Sequence, residues 1–132
     1  MPSIDARYRT FPGTEQRAVL GSSLSAYGAV DLAAEFPSVF GGCAALAPPT
    51  QSATVIANQP HARAAAVQIR FFVLGGLYDD QLPGARRLRT ALVEANAPAT
   101  YVETPEGHSS VTFRGHLDEA ITTVLRPPPP PE

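Results

Sequence analysis

Gly21-Ser22-Ser23-Leu24-Ser25 stands where a short apolar run, Arg17 to Ser22, passes directly into a helical pattern. A serine on such a strand-to-helix turn projects its hydroxyl clear of the backbone. Small residues must flank it, because strand and helix come too close for side chains. Gly21 meets that need on one side and Ser25 supplies a small residue on the other. Free amides at the first turn of the helix point at any oxyanion formed at this serine, that of Leu24 first. The pattern therefore predicts Ser23 as a nucleophile and Leu24 as an oxyanion donor. Serines at a helix start also act as N-caps, and the motif alone fits either use.

Two more groups weigh toward chemistry. Asp79 follows Gly76-Leu77-Tyr78 after the most continuous apolar run in the chain, and His108 follows Gly107 after a later one. Parallel strands end on one side of their sheet, so both would meet the serine turn at a single edge. Ser, Asp, His in that order suits acyl transfer: His108 takes the hydroxyl proton, and Asp79 fixes the imidazole tautomer. Asp80 is the alternative acid. His61 and His116 follow no strand and are read as structural.

The elements that must position these groups read as an α/β fold, in which short apolar runs alternate with helical patterns. Strands are expected at Arg17 to Ser22, Gly41 to Ala47, Val67 to Leu74 (stopped by Gly75-Gly76) and Ala99 to Glu103, the last alternating in polarity like an edge. Leu24, Gly28, Ala29, Leu32, Ala33 and Phe36 form one helical stripe, which Pro37 ends. Residues 50 to 66 read as a loop plus one short helix. Further helices are expected from Gly84 to Asn96 and through Leu117, Ala120, Ile121, Val124 and Leu125. The prolines from 127 onward cannot continue that helix. One domain over residues 1 to 126 with a disordered proline-rich tail at 127 to 132 is the expected organisation.

Composition narrows the chemistry. The 132 residues carry a net charge of −2, and all ten basic residues are Arg. No basic and aromatic patch suggests nucleic acid, and phosphate-loop chemistry lacks its lysine. The single Cys43 has no internal disulfide partner, and no Cys/His cluster has metal-ligand spacing, so neither metal nor cofactor is expected. Met1 to Thr10 lacks the apolar run of a signal peptide or membrane span, which makes a cytoplasmic protein without membrane attachment the expectation.

Taken together, Asp5 to Thr10, Arg17 to Ser25, Tyr27-Gly-Ala29, Phe36-Pro37, Val39 to Gly41 and Gly107-His108-Ser109 resemble the C-terminal catalytic half of the esterase D and enterochelin esterase group of α/β hydrolases. The resemblance covers about Asp5 to Arg126 and implies that Ser23, Asp79 and His108 occupy the group's catalytic positions. It implies a truncated hydrolase-like three-layer sandwich of about four mostly parallel strands flanked by helices. Two departures carry expectations. Ser25 stands where the group has glycine, which predicts a slightly widened elbow. The strands that precede the elbow in relatives, one of whose loops gives a second oxyanion donor, have no counterpart, and losing such a donor costs on the order of 3 kcal/mol of transition-state stabilisation. Ser22, Ser25, the leader residues or another subunit could replace it.

The Arg17 to Leu20 strand would then be an exposed edge, so a homodimer or larger oligomer is expected. The expected activity is hydrolysis of small, short-acyl carboxylic esters through an acyl-enzyme. A siderophore ester of the enterochelin type is the alternative substrate. A non-catalytic hydrolase remnant serving as an interaction module is the alternative role.

Overall fold

A computed structural model describes residues 2–126; the expected proline-rich tail lies outside the described residues. The chain opens with α1 (Pro2–Asp5) and a 3-10 turn (Thr14–Gln16), followed by β1 (Ala18–Ser22), α2 (Leu24–Glu35) and β2 (Gly42–Leu46). Next come α3 (Gln51–Asn58), α4 (Pro60–Ala66), β3 (Arg70–Gly76), α5 (Leu82–Glu94), β4 (Ala99–Thr104), α6 (Ser110–Gly115) and α7 (Leu117–Val124). The four strands form one parallel sheet in the order β1-β2-β3-β4.

Helices cover the sheet unequally. On one face, α2, α3, α4 and α5 enclose Cys43, Ala45, Phe71 and Val73, sealing the larger core. On the other, Ala120 and Val124 of α7 pack on Ala44, Leu46, Phe72 and Leu74. The central strands are thus covered on both sides, which explains why β3 reads as an unbroken apolar run. Beside α7, beneath β1, a groove of about 530 Å³ is lined by Ala18, Leu20, Phe40, Leu117, Ile121 and Leu125, among others.

Several elements differ from expectation. Residues 50–66 form two helices, since Pro60 occupies the first turn of α4 and the extended Gln59 precedes it. The third strand begins at Arg70, after a turn at Val67 and Gln68, and runs through Gly75 and Gly76. These glycines admit close neighbours without ending the strand: a Cβ on Gly76 would lie 2.5 Å from the Glu106 carbonyl oxygen. Helix α2 is rotated from the expected stripe. It buries Ala26, Ala29, Val30, Ala33 and Ala34, while Leu24, Leu32 and Phe36 stay exposed. Alanines bring its backbone close to the sheet, so the largest apolar residues do not mark the inward face. Helix α6 was absent from the expected elements.

Candidate active site

Ser23 sits between β1 and α2 with φ 55° and ψ −128°, a conformation that L residues adopt only when their surroundings enforce it. Its amide donates to the Leu46 carbonyl on β2 at 2.9 Å, and its own carbonyl accepts from the Ala26 amide at 3.0 Å. Gly21 is required here. A Cβ at that position would lie 2.1 Å from the Ser25 carbonyl oxygen and 2.7 Å from the Ala26 nitrogen. The turn is therefore tightly closed around Gly21. Ser25 turns its side chain back: its hydroxyl donates to the Ser22 carbonyl at 2.7 Å and accepts from the Ser22 amide at 2.9 Å.

Asp79 follows β3. Its main chain is fixed by bonds from its amide to the Gly76 carbonyl and from the Leu82 amide to its carbonyl. One carboxylate oxygen accepts from the Gln81 amide at 2.8 Å. The other lies 2.8 Å from His108 Nδ1, and the carboxylate is almost fully buried, with the side chain 1% exposed. Asp80 is exposed. The structure thus brings Asp79, and not Asp80, onto the imidazole.

His108 lies in the loop after β4. That loop is anchored to the one after β3, because the Leu77 amide donates to the Thr104 carbonyl and the Tyr78 amide to the Glu106 carbonyl. On its far side Ser109 caps α6 by accepting from the Thr112 amide, and the Thr112 hydroxyl donates to the Gly107 carbonyl at 2.9 Å. Phe113 meets the imidazole edge-on, with centroids 5.2 Å apart and planes at 88°. Held this way, His108 Nε2 lies 2.9 Å from Ser23 Oγ. With Nδ1–H donated to Asp79, Nε2 is free to accept the serine proton.

Leu24 is the first residue of α2, so its amide has no intrahelical acceptor. Two suggested sources of a second donor are already engaged: the Ser22 amide and the Ser25 hydroxyl bind one another's groups. His61 lies 3.2 Å from Glu35, and His116 lies 3.3 Å from Glu106 and 3.6 Å from Glu119, so both face surface carboxylates. Asp79, Asp80 and His108 each bring one donor atom within 4.8 Å of the others. Both nitrogens of His108 and both oxygens of Asp79 are, however, already hydrogen-bonded within this site.

The supporting residues escaped sequence reasoning. For Ser109 a signal existed, because a serine directly before a helical stretch is an N-cap candidate; Thr112 had none, since its hydroxyl bond to Gly107 depends on the fold. Phe113 carried none, because its contact depends on how α6 turns. No helix among the described residues is long and apolar enough to cross a membrane.

Among curated proteins, none matches this chain significantly. Similar solved structures include a ferulic acid esterase (TM-score 0.81, 17% identity, 92% of this chain and 55% of that one). They also include the S-formylglutathione hydrolase FrmB of Staphylococcus aureus (0.73, 14%, 92% and 55%) and the enterochelin esterase of Shigella flexneri (0.76, 16%, 92% and 33%). At such identities the likeness is one of fold, and this chain spans about half the length of the first two and a third of the last. The family model described as "Putative esterase" matches residues 1–123. By that match, which takes in all three residues of the hydrogen-bonded series, the chain belongs to this esterase family.

Proposed function

We propose that the chain is a serine ester hydrolase acting through an acyl-enzyme. The observation that carries this reading is the unbroken series Ser23 Oγ, His108 Nε2, His108 Nδ1, Asp79 Oδ2, with links of 2.9 and 2.8 Å. Ser23 Oγ attacks the ester carbonyl carbon while its proton passes to His108 Nε2, and the Leu24 amide donates to the developing oxyanion. His108 then gives that proton to the leaving alcohol. Water then attacks the acyl carbon while His108 takes one of its protons; the bond from that carbon to Ser23 Oγ breaks, His108 returns the proton to Oγ, and the carboxylic acid leaves. Asp79, acting through Nδ1–H, holds the tautomer and stabilises the imidazolium.

Small short-acyl esters are the proposed substrates. Leu24, Leu77, Tyr78 and Val111, near Ser23, Asp79 and His108 in sequence, are exposed and mainly apolar, which supports a preference for the apolar parts of an ester over charged groups. Triesters of the enterochelin type remain an alternative substrate, supported by likeness to the Shigella enzyme.

The test is turnover of p-nitrophenyl acetate and butyrate by the wild type, Ser23→Ala and His108→Ala, with mass spectrometry after treatment with a phosphonate. The wild type is expected to take up one phosphonate on Ser23, and each variant to lose roughly 10⁴-fold or more in kcat. Equal rates in Ser23→Ala would overturn the reading. Absence of both turnover and adduct in the wild type would favour a non-catalytic remnant, a role supported by the single assigned oxyanion donor.

A further inference from the structure

We infer that Ser25 is a positioning residue, whose hydroxyl staples Ser22 across the strained Ser23 and so holds the nucleophile in place; this inference rests on Ser23 being the nucleophile. Among the described residues β1 has one sheet neighbour, β2. The Ser23 amide faces β2, where it meets Leu46. Backbone groups of successive strand residues point to opposite sides, so those of Ser22 face the open side. Among the described residues no strand lies there to hold them. The Ser25 hydroxyl does so instead, accepting from the Ser22 amide at 2.9 Å and donating to its carbonyl at 2.7 Å.

This matters because a residue at φ 55° and ψ −128° relaxes unless the chain on both sides is fixed. The downstream side is fixed by α2, through the bond from the Ala26 amide to the Ser23 carbonyl. Upstream, Ser22 is the last residue of an edge strand. Gly21 allows the Ser25 backbone to approach, and the Ser25 side chain then turns that proximity into two hydrogen bonds. A hydroxyl suits the place because it both donates and accepts. Glycine and alanine can do neither. Threonine can, and Ser25 is exposed, which leaves room for the added methyl.

The experiment compares full-length wild type with Ser25→Ala, Ser25→Gly and Ser25→Thr by amide hydrogen exchange at Ser22 and by steady-state hydrolysis of p-nitrophenyl acetate. In the alanine and glycine variants, Ser22 exchange is expected to speed up about tenfold, and kcat to fall about tenfold with KM within twofold, as befits loss of hydrogen bonds of ordinary net strength. Ser25→Thr is expected to keep both within about threefold of wild type. Unchanged Ser22 exchange in Ser25→Ala, or kcat within twofold of wild type, would overturn the inference. A wild type that neither hydrolyses ester nor takes up phosphonate defeats the hydrolase reading and the positioning role with it. That failure is distinguishable, because the exchange difference at Ser22 would persist.

Discussion

His108 Nδ1 lies 2.8 Å from one oxygen of Asp79, while the other oxygen of the same carboxylate accepts the Gln81 amide at 2.8 Å. The acid is therefore locked before it meets the imidazole, and its neighbour Asp80 projects into solvent. Asp79→Asn is expected to lower kcat by about 10²–10⁴-fold, because an amide cannot hold the required tautomer. Asp80→Asn should leave kcat within about twofold. Steady-state kinetics on a p-nitrophenyl ester checks both; a rate merely halved in Asp79→Asn would place the acid elsewhere or leave a serine–histidine dyad.

Gly21 and Gly28 offer a matched pair of substitutions. Gly21→Ala forces a Cβ to 2.1 Å from the Ser25 carbonyl oxygen, so the backbone must shift. A cost of about 1–3 kcal/mol and loss of ester turnover are expected. Around Gly28, within α2, an added Cβ meets nothing within 4 Å, and Gly28→Ala should gain about 0.5–1 kcal/mol from helix propensity. Thermal melts of the two variants should move in opposite directions.

Glu103 on β4 accepts a two-pronged bond from the Arg86 guanidinium of α5 and a third from the Tyr101 hydroxyl. These bonds, Arg86 first, pull its carboxyl down from an ordinary 4.5 to about 2. A depressed folded value stabilises the fold above about pH 4.5, and that stability is lost as pH falls from 4.5 toward 2. Glu103→Gln should remove this part of the acid dependence. Urea unfolding at a series of pH values would show wild type and variant converging at the acid end; parallel curves throughout would refute the assignment.

Among the described residues β1 is an edge strand, with Leu20 40% exposed beside the apolar groove. Self-association through this edge is a proposal, and Ser25 narrows it by occupying the backbone groups of Ser22. Sedimentation equilibrium should then give twice 13.9 kDa, and Leu20→Arg should return the single-chain mass. A wild type that stays single at tens of micromolar ends the proposal.

Much of the sheet was legible because β2 and β3 are buried on both faces, and such strands are written as continuous apolar runs. The order of Ser23, Asp79 and His108 was legible because each follows a strand of one parallel sheet. The inward face of α2 was not. Periodicity weighs residues by hydrophobicity, whereas the sheet selected alanines for close approach and left Leu24, Leu32 and Phe36 outside. The division of residues 50–66 turned on Pro60, whose meaning as a helix start depends on the geometry of Gln59. Ser25 could be read as a small residue, but its hydrogen bonds depend on which way the edge strand presents Ser22.

The backbone angle at Ser23 sets folding stability against chemistry at one position. Glycine at this position would relieve the unfavourable φ of 55°, at a gain of about 1 kcal/mol or more. It would also abolish any hydroxyl chemistry. Serine at this turn therefore lowers the stability of the fold, and the proposed hydroxyl chemistry gives that strain a purpose.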